Sequence, residues 1–212
     1  MAEAPPTVFI VDDDEQIRRY CDIVLQHGGF RTERYSSASE FLDQYDHARA
    51  GCLLLDIRMP EMSGLELQEN LNRRGATIPV IFVSGVTDVP TAIETMRHGA
   101  FDYLSKPLSR EDLLDRVRRA LDFDAAVRAS LSERQQAAAC FEGFTAREKE
   151  ILLMIMRGLS NKEAAARMQL SPRTVEIHRA SLIRKTGARN TAHLVRMAME
   201  LNIRPDAAER TG

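Results

Sequence analysis

The sequence predicts a doubly wound α/β domain with a five-stranded parallel sheet, then a helical linker and an all-α domain of four short helices. Three observations support this prediction. Apolar runs alternate with helical patterns over the first 120 residues, no glycine interrupts residues 109–140, and short capped helical segments follow residue 141. Strands and helices therefore belong to the first domain, and helices alone to the second.

Four of the five strands can be located because each is an apolar run that ends at polar residues. They are Val8–Val11, Cys52–Asp56, Val80–Val83 and Phe101–Ser105. Helices are expected near residues 15–27, 37–46, 63–73, 88–98 and 109–120, and glycines after several of them indicate helix ends. We expect the last helix to extend into the linker, because alanine and arginine are strong helix formers. The alternative is that it ends near residue 121.

The composition is that of a soluble globular protein with 28% charged residues and a mean hydropathy of −0.29. No apolar stretch reaches the roughly 18 residues of a membrane span, and the N-terminus lacks signal-peptide features. We therefore expect a cytoplasmic protein. Cys21, Cys52 and Cys140 are too scattered for a disulfide framework or a metal site.

The charge is divided unevenly along the chain. Residues 1–120 carry 14 Lys and Arg against 20 Asp and Glu, a net charge of −6, whereas residues 141–212 carry 13 against 8, a net charge of +5. An acidic first half and a basic second half indicate two domains with different partners.

The polar residues that follow the strands should meet at one edge of the sheet, because ligands of parallel sheets bind outside the carboxyl ends of the strands. Clustered carboxylates repel one another unless a cation joins them, and Mg²⁺ prefers oxygen ligands. We expect Asp13 and Asp56 to bind Mg²⁺ directly and Asp12 to bind it through a water. Asp56 is the candidate nucleophile for a phosphoryl group, whose oxygens Lys106 and Ser84 would bind.

Each of these features has a simpler explanation when it is taken alone. The run Asp12–Asp14 could cap the helix that begins at Glu15, and Lys106–Pro107 could be an ordinary turn. The occurrence of all five side chains at strand ends favours a phosphoryl-transfer site.

The second domain has the pattern of a helix-turn-helix. Thr145 and Glu148 form a capping-box pattern, and a second helix is expected over Asn161–Met168. Ser171 and Pro172 then begin a basic third helix that ends at Gly187, and residues 191–201 form the fourth. Residues 171–190 contain five Lys and Arg and one Glu, a charge that suits DNA phosphates. A solvated basic helix is the alternative, but the cap and the turn favour DNA binding.

The first domain resembles the receiver domain of two-component response regulators, whose sheet is flavodoxin-like. The resemblance is carried by Val11-Asp12-Asp13, Leu55-Asp56-Ile57-Arg58-Met59-Pro60, Ser84-Gly85 and Ser105-Lys106-Pro107. It implies that a sensor histidine kinase phosphorylates Asp56 with Mg²⁺, and that the main-chain carbonyl of Arg58 completes the metal site. It also implies a switch in which Ser84 and Tyr103 move together. The side chains of Arg58 and Val86 are expected to affect the lifetime of the phosphoryl group.

The second domain resembles the LuxR-type DNA-binding domain, and the domain order resembles the FixJ/NarL class. The carrying segments are Thr145–Glu148, Gly158–Ala165 and Ser171–Arg179. The resemblance implies that bases are approached from Glu176, Ile177 and Ala180. The residues available for DNA phosphates are Arg173, Thr174, Arg179 and Lys185.

These expectations combine into a phosphorylation-controlled transcription regulator with a receiver at 1–120, a linker at 121–141 and a DNA-binding domain at 142–212. Its partners would be a sensor kinase, double-stranded DNA and RNA polymerase, with a homodimer forming on phosphorylation. Its only catalysis would be slow hydrolysis of its own phosphoryl group. The first alternative is an aspartate-nucleophile phosphatase, but Arg58 stands where such enzymes place a second aspartate. The second is a DNA-binding protein controlled through protein contacts.

Overall fold

The computed structural model describes residues 5–85, 95, 96 and 98–204. The chain divides into two compact units, residues 1–129 and 130–212. Each unit has its own hydrophobic core. Among the described residues, no helix combines the length and the apolar character needed to cross a lipid bilayer.

The first unit contains a sheet of five parallel strands in the order β2-β1-β3-β4-β5. The strands are β1 (Thr7–Val11), β2 (Arg31–Tyr35), β3 (Gly51–Asp56), β4 (Val80–Ser84) and β5 (Asp102–Ser105). This order confirms the doubly wound, flavodoxin-like sheet, whose strand order reverses between β1 and β3. Val11 pairs with Leu55, and Asp56 pairs with Val83, so that these strands end at a common edge.

Four helices of this unit are described. They are α1 (Glu15–His27), α2 (Ala38–Gln44), α3 (Gly64–Arg73) and α4 (Arg110–Glu142). Asp14, Ser37 and Ser63 cap the first three, each by accepting a hydrogen bond from a backbone amide of the first turn. The expected helix near 88–98 lies almost entirely outside the described residues.

The sheet is covered on both faces because every central strand is apolar on both sides. Phe9 and Val11 of β1 pack with Leu67 and Leu71 of α3 in one cluster. The alternate residues of the same strand point to the other face. Their cluster contains residues of the strands, α1 and α4, including Val8, Ile10, Cys21, Leu25, Leu113 and Val117.

Helix α4 continues well beyond the sheet, through the segment expected to be the linker. Two of its residues, Asp124 and Arg128, bind the start of β3 and the loop that precedes it. The buried carboxylate of Asp124 accepts hydrogen bonds from the amide of Gly51 at 2.9 Å and from Nε of Arg128 at 2.8 Å. Arg128 also donates to the carbonyl oxygen of Ala48 at 3.0 Å and to that of Arg49. The residues of α4 up to 129 therefore belong to the first compact unit.

The second unit contains the end of α4 and four further helices. They are α5 (Ala146–Met156), α6 (Asn161–Met168), α7 (Pro172–Thr186) and α8 (Thr191–Glu200). Capping boxes open α5 and α6, and Ser171 caps α7 with Pro172 at its first turn. The four helices expected from the sequence are therefore all present, with ends within one or two residues of those expected.

Candidate functional site

Two buried carboxylates and one ammonium group meet at the end of the sheet. Asp12 follows β1, Asp56 ends β3, and Lys106 follows β5. The Nζ atom of Lys106 lies 2.8 Å from Oδ2 of Asp12 and 2.7 Å from Oδ1 of Asp56. Three residues far apart in sequence are thus joined at the point where the strand order reverses, as the sequence predicted for these strand ends.

The backbone orients both carboxylates. The other oxygen of Asp12 accepts a hydrogen bond from the amide of Asp14 at 2.8 Å, and the other oxygen of Asp56 accepts one from the amide of Arg58 at 2.5 Å. Gly64, the first residue of α3, lies against the backbone of Asp56, so closely that a Cβ atom there would overlap the Asp56 carbonyl oxygen. Only glycine fits this close approach.

The electrostatics of the cluster leave it negatively charged. Asp12 and Asp56 are 2% and 6% exposed, and a single ammonium serves both. Burial raises the pKa of Asp12 even though the Lys106 hydrogen bond opposes that effect. Burial lowers the pKa of Lys106, but its hydrogen bonds to the two carboxylates outweigh burial and leave that pKa above its usual value.

The donor chemistry of this cluster fits a hard divalent cation. Its oxygens come from two buried carboxylates, and the exposed Asp13 lies next to Asp12 in the chain. With Asp13 the three carboxylates carry three negative charges against the one positive charge of Lys106, so a divalent cation would complete the neutralisation. Across residues 5–85, 95, 96 and 98–204, no three His, Cys, Asp or Glu side chains are already gathered in metal-binding geometry.

Ser84 and Tyr103 lie on the two strands next to the cluster. Ser84 is buried at the end of β4, and its carbonyl oxygen accepts a hydrogen bond from the amide of Lys106 at 2.8 Å. Tyr103 is half-buried on β5 beside Phe82 of β4, and it packs against the same cluster of apolar residues as α3. The structure thus places Ser84 at the cluster and Tyr103 on one face of the sheet behind it. Val86 lies outside the described residues.

In the second unit, α6 and α7 form the helix-turn-helix, and an ion pair between a buried carboxylate and an exposed lysine links α5 to α7. Glu148 of α5 is 4% exposed and lies 2.8 Å from Nζ of Lys185. Its hydrogen bonds from Lys185 and from Thr145 hold the pKa of Glu148 down at about 2. Lys185, which the sequence analysis expected to contact DNA phosphates, therefore also forms an ion pair with the buried carboxylate of Glu148.

The remaining predicted DNA-contact residues lie on or near the outer face of α7. Arg173 and Glu176 are exposed and paired at 2.8 Å, and Ile177 and Ala180 are exposed. Arg179 is half-buried, because its guanidinium donates to Oδ1 of Asn161 at the start of α6 at 2.7 Å. Arg179 thus links α6 to α7 through one N–H group of its guanidinium, and the other N–H groups can bind a second partner.

Sequence reasoning missed three residues that organise these sites. Gly64 and Asp124 act through contacts with residues distant in sequence, which no local pattern encodes. The capping-box position of Glu148 was predicted, but its ion pair with Lys185 joins two separate helices and was not.

Comparison with known proteins matches each unit to a family. Residues 8–118 match the response regulator receiver domain, and residues 142–198 match the bacterial regulatory proteins of the luxR family. FixJ of Rhizobium meliloti is 38% identical over 91% of this chain and 95% of its own length. The response regulator protein TodT of Pseudomonas putida is 35% identical over 95% of this chain and 88% of its own.

The chain is a two-component response regulator with a LuxR-type DNA-binding domain. Two solved structures agree with this family assignment. The response regulator StyR aligns with a TM-score of 0.82 at 36% identity, covering 93% of this chain and all of that one. Full-length FixJ from B. japonicum aligns with a TM-score of 0.57 at 31% identity, covering 93% and 98%.

The two family matches of the response regulator coincide with its two sites. The receiver match contains the Asp12, Asp56 and Lys106 cluster, and the luxR match contains α5, α6, α7 and nearly all of α8. The response regulator therefore regulates transcription through a DNA-binding helix-turn-helix, and it is a regulator rather than a classical enzyme.

Proposed function

We propose that Asp56 accepts a phosphoryl group from a sensor histidine kinase, and that this phosphorylation controls dimerisation and sequence-specific DNA binding. The observation that carries the proposal is the position of Asp56. It is a buried carboxylate at the end of a central strand, with one oxygen on Lys106 and the other on the amide of Arg58. Both groups can stabilise charge on a phosphoryl group placed there.

The transfer is a substitution at phosphorus. A carboxylate oxygen of Asp56 attacks the phosphorus atom of the kinase phosphohistidine and forms an acyl phosphate. The phosphorus–nitrogen bond breaks, and its electron pair remains on the imidazole nitrogen. The departing imidazole is neutral when its other ring nitrogen already carries a proton, and otherwise the departing imidazolate takes a proton from water. Lys106 then pairs with a phosphoryl oxygen, and Ser84 donates a hydrogen bond to another.

The carboxylates would also hold Mg²⁺. Asp13 and Asp56 would bind it directly, Asp12 through a water and Arg58 through its main-chain carbonyl, and the cation would offset the charge of the phosphoryl oxygens. The side chain of Arg58, with Val86, would affect how fast water later removes the phosphoryl group. Movement of Ser84 toward that group, followed by Tyr103, would carry the change to the neighbouring surface.

In the second unit, α7 would enter the major groove of DNA. Glu176, Ile177 and Ala180 would approach bases, and Arg173, Thr174 and Arg179 would contact phosphates. Lys185, whose ammonium pairs with Glu148 but whose side chain is 44% exposed, would both hold α7 on α5 and remain within reach of a DNA phosphate. A regulator of this kind would act in the cytoplasm as a dimer on DNA, with RNA polymerase as a further partner.

The assignment of Asp56 is tested by intact-mass measurement after incubation with acetyl phosphate and Mg²⁺. We expect one added phosphoryl group on the natural protein and none on Asp56→Asn. Asp43→Asn is the matched control, since Asp43 is an exposed aspartate of α2 in the same unit. Labelling of the Asp56→Asn protein to the same extent as the natural protein would contradict the assignment. DNA binding that is unaffected by the phosphodonor would instead favour control through protein contacts.

A further inference from the structure

The outward face of α7 is charged at both ends and apolar in the middle. Val175 and Leu182 are fully buried and fix the inner side of the helix. Arg173, Ile177, Ala180 and Arg184 follow one another at intervals of four, three and four residues on the opposite side, and all are exposed. Ile177 is 57% exposed and is the only large hydrophobic residue of α7 that the structure leaves so open among its described residues.

This arrangement suits a helix that lies in the major groove. Arg184 lies eleven positions after Arg173 in the sequence, which corresponds to about 16 Å along the helix axis. That distance slightly exceeds the groove width of about 12 Å, so each arginine can reach a phosphate at the groove margin while the residues between them face base edges. The small side chain of Ala180 lets the helix approach those edges closely.

The exposed isoleucine on this face can offer DNA only an apolar contact, since its side chain has neither a donor nor an acceptor for the polar groups of base edges. The 5-methyl group of thymine is the apolar feature of the major groove. Glu176, which precedes Ile177, forms an exposed ion pair with Arg173 at 2.8 Å and offers DNA a polar contact. Ile177 and Ala180 offer it only apolar contacts.

We propose that Ile177 reads the methyl group of a thymine in each half-site, and that Ala180 contacts the neighbouring base-pair step. The proposal rests on the placement of α7 in the major groove argued above. Ile177 and Ala180 are about 4.5 Å apart along the helix axis, which is close to the rise of about 3.4 Å between successive base pairs. The regulator therefore prefers operators with thymine at a fixed position in each half-site.

Replacement of thymine by uracil tests this directly, because uracil lacks the 5-methyl group and keeps the hydrogen-bonding pattern. An operator is first selected from random DNA with the full-length protein, in whichever phosphorylation state binds DNA more tightly. Each thymine of that operator is then replaced in turn, and affinity is measured by fluorescence anisotropy at one salt concentration. We expect one position per half-site at which uracil weakens binding about four-fold, the equivalent of one buried methyl group.

The same duplexes are measured with Ile177→Ala, Ile177→Val and Ile23→Ala. The penalty at the sensitive position should vanish in Ile177→Ala and persist in Ile177→Val. Ile23→Ala, which truncates an exposed isoleucine of α1 in the other unit, should behave like the natural protein. Because Ile177 is exposed, circular dichroism should show Ile177→Ala folded.

Several outcomes would overturn the proposal. A uracil penalty that is unchanged in Ile177→Ala would assign the methyl contact to another residue. Normal operator affinity and normal uracil penalties in Ile177→Ala, together with lost transcription, would assign Ile177 to a protein contact. If no sequence were enriched from random DNA, sequence-specific binding itself would fail, and this result is distinct from the first two.

Discussion

At the scale of single residues, Lys106 is important for the electrostatics of the receiver, because one ammonium pairs with two buried carboxylates. We expect Lys106→Met to lower the free energy of unfolding of the first unit by about 3 kcal/mol at pH 7, since it leaves both charges unpaired. Urea denaturation followed by tyrosine fluorescence can measure this effect, because all four tyrosines lie within residues 1–129. Arg116→Met, which removes an ion pair to Asp102 in the same unit, is the control and should cost less.

The pH dependence of the Lys106→Met variant gives a second measurement. Burial already raises the pKa of Asp12 above 3.8, and removal of the ammonium should raise it further. The folded state then binds a proton that the unfolded state does not bind, so stability rises as the pH falls through the folded pKa toward 3.8. We expect the variant to regain stability on acidification or on addition of Mg²⁺. A loss that is identical at all pH values would contradict this account.

At the scale of elements, α4 is anchored to the sheet by a carboxylate far beyond its first turns. Asp124→Ala should lower the free energy of unfolding of the first unit by about 3 kcal/mol, because the amide of Gly51 loses its acceptor and the guanidinium of Arg128 loses its only carboxylate partner among the described residues. Tyrosine fluorescence during urea denaturation gives the measurement. Asp122→Ala is the matched control, since Asp122 is exposed on the same helix. Its effect should stay within about 0.5 kcal/mol, and equal effects of the two variants would show that the contact is not stabilising.

The packing of α7 on α5 gives another prediction at this scale. The pKa of Glu148 is about 2 in the folded state against 4.5 ordinarily. Because the folded pKa is depressed, the stabilisation is fully present above pH 4.5 and is lost as the pH falls toward 2. We expect Glu148→Gln to destabilise the second unit at neutral pH and to flatten this pH dependence. Methyl NMR signals of Met154 and Met168 report on the second unit during denaturation, and Glu150→Gln, which removes an exposed carboxylate of α5, is the control.

The element scale also shows what the sequence predicts and what it does not. The capping patterns of Thr145 and Ser171 are local, and the helices they begin are found at the expected places. Strand β2 was not located, because it lies at the sheet edge and buries only Tyr35 along Arg31–Tyr35. An edge strand with one buried residue lacks the apolar run that identified the central strands.

The candidate sites show the same division. The carboxylate cluster was predictable because strand ends of a parallel sheet converge, so that each member could be read from its own strand. The partners of Asp124 and Arg179 were not, because each depends on a contact with a distant segment or a neighbouring helix. Arg179 was expected to reach outward, and only the folded chain shows its bond to Asn161.

At the scale of the whole molecule, we expect the phosphorylation state of the receiver to control DNA binding by the second unit. We expect phosphorylation to favour a two-fold dimer through receiver residues 88–120. We expect this dimer to be contacted by Ala92, Ile93, Met96 and Arg97. Met96 is 50% exposed, and the other three lie outside the described residues. A two-state receiver needs a bias of only a few kcal/mol to change its population from one state to the other, which a doubly charged phosphoryl group beside Lys106 could supply.

Sedimentation velocity of the full chain, with and without acetyl phosphate and Mg²⁺, measures this assembly. We expect monomers before treatment and dimers after it, with Asp56→Asn monomeric in both conditions. Met96→Glu should accept the phosphoryl group but dimerise less tightly, because two-fold symmetry brings a new carboxylate near its own copy. Met199→Glu, which places the same charge at an exposed position of α8, is the control. The dimer also requires a nearly palindromic operator with half-site centres about 10 base pairs apart or a multiple of that. Phosphorylated protein that occupies its operator as a monomer would contradict the two-fold assembly, because one recognition helix would then suffice for binding.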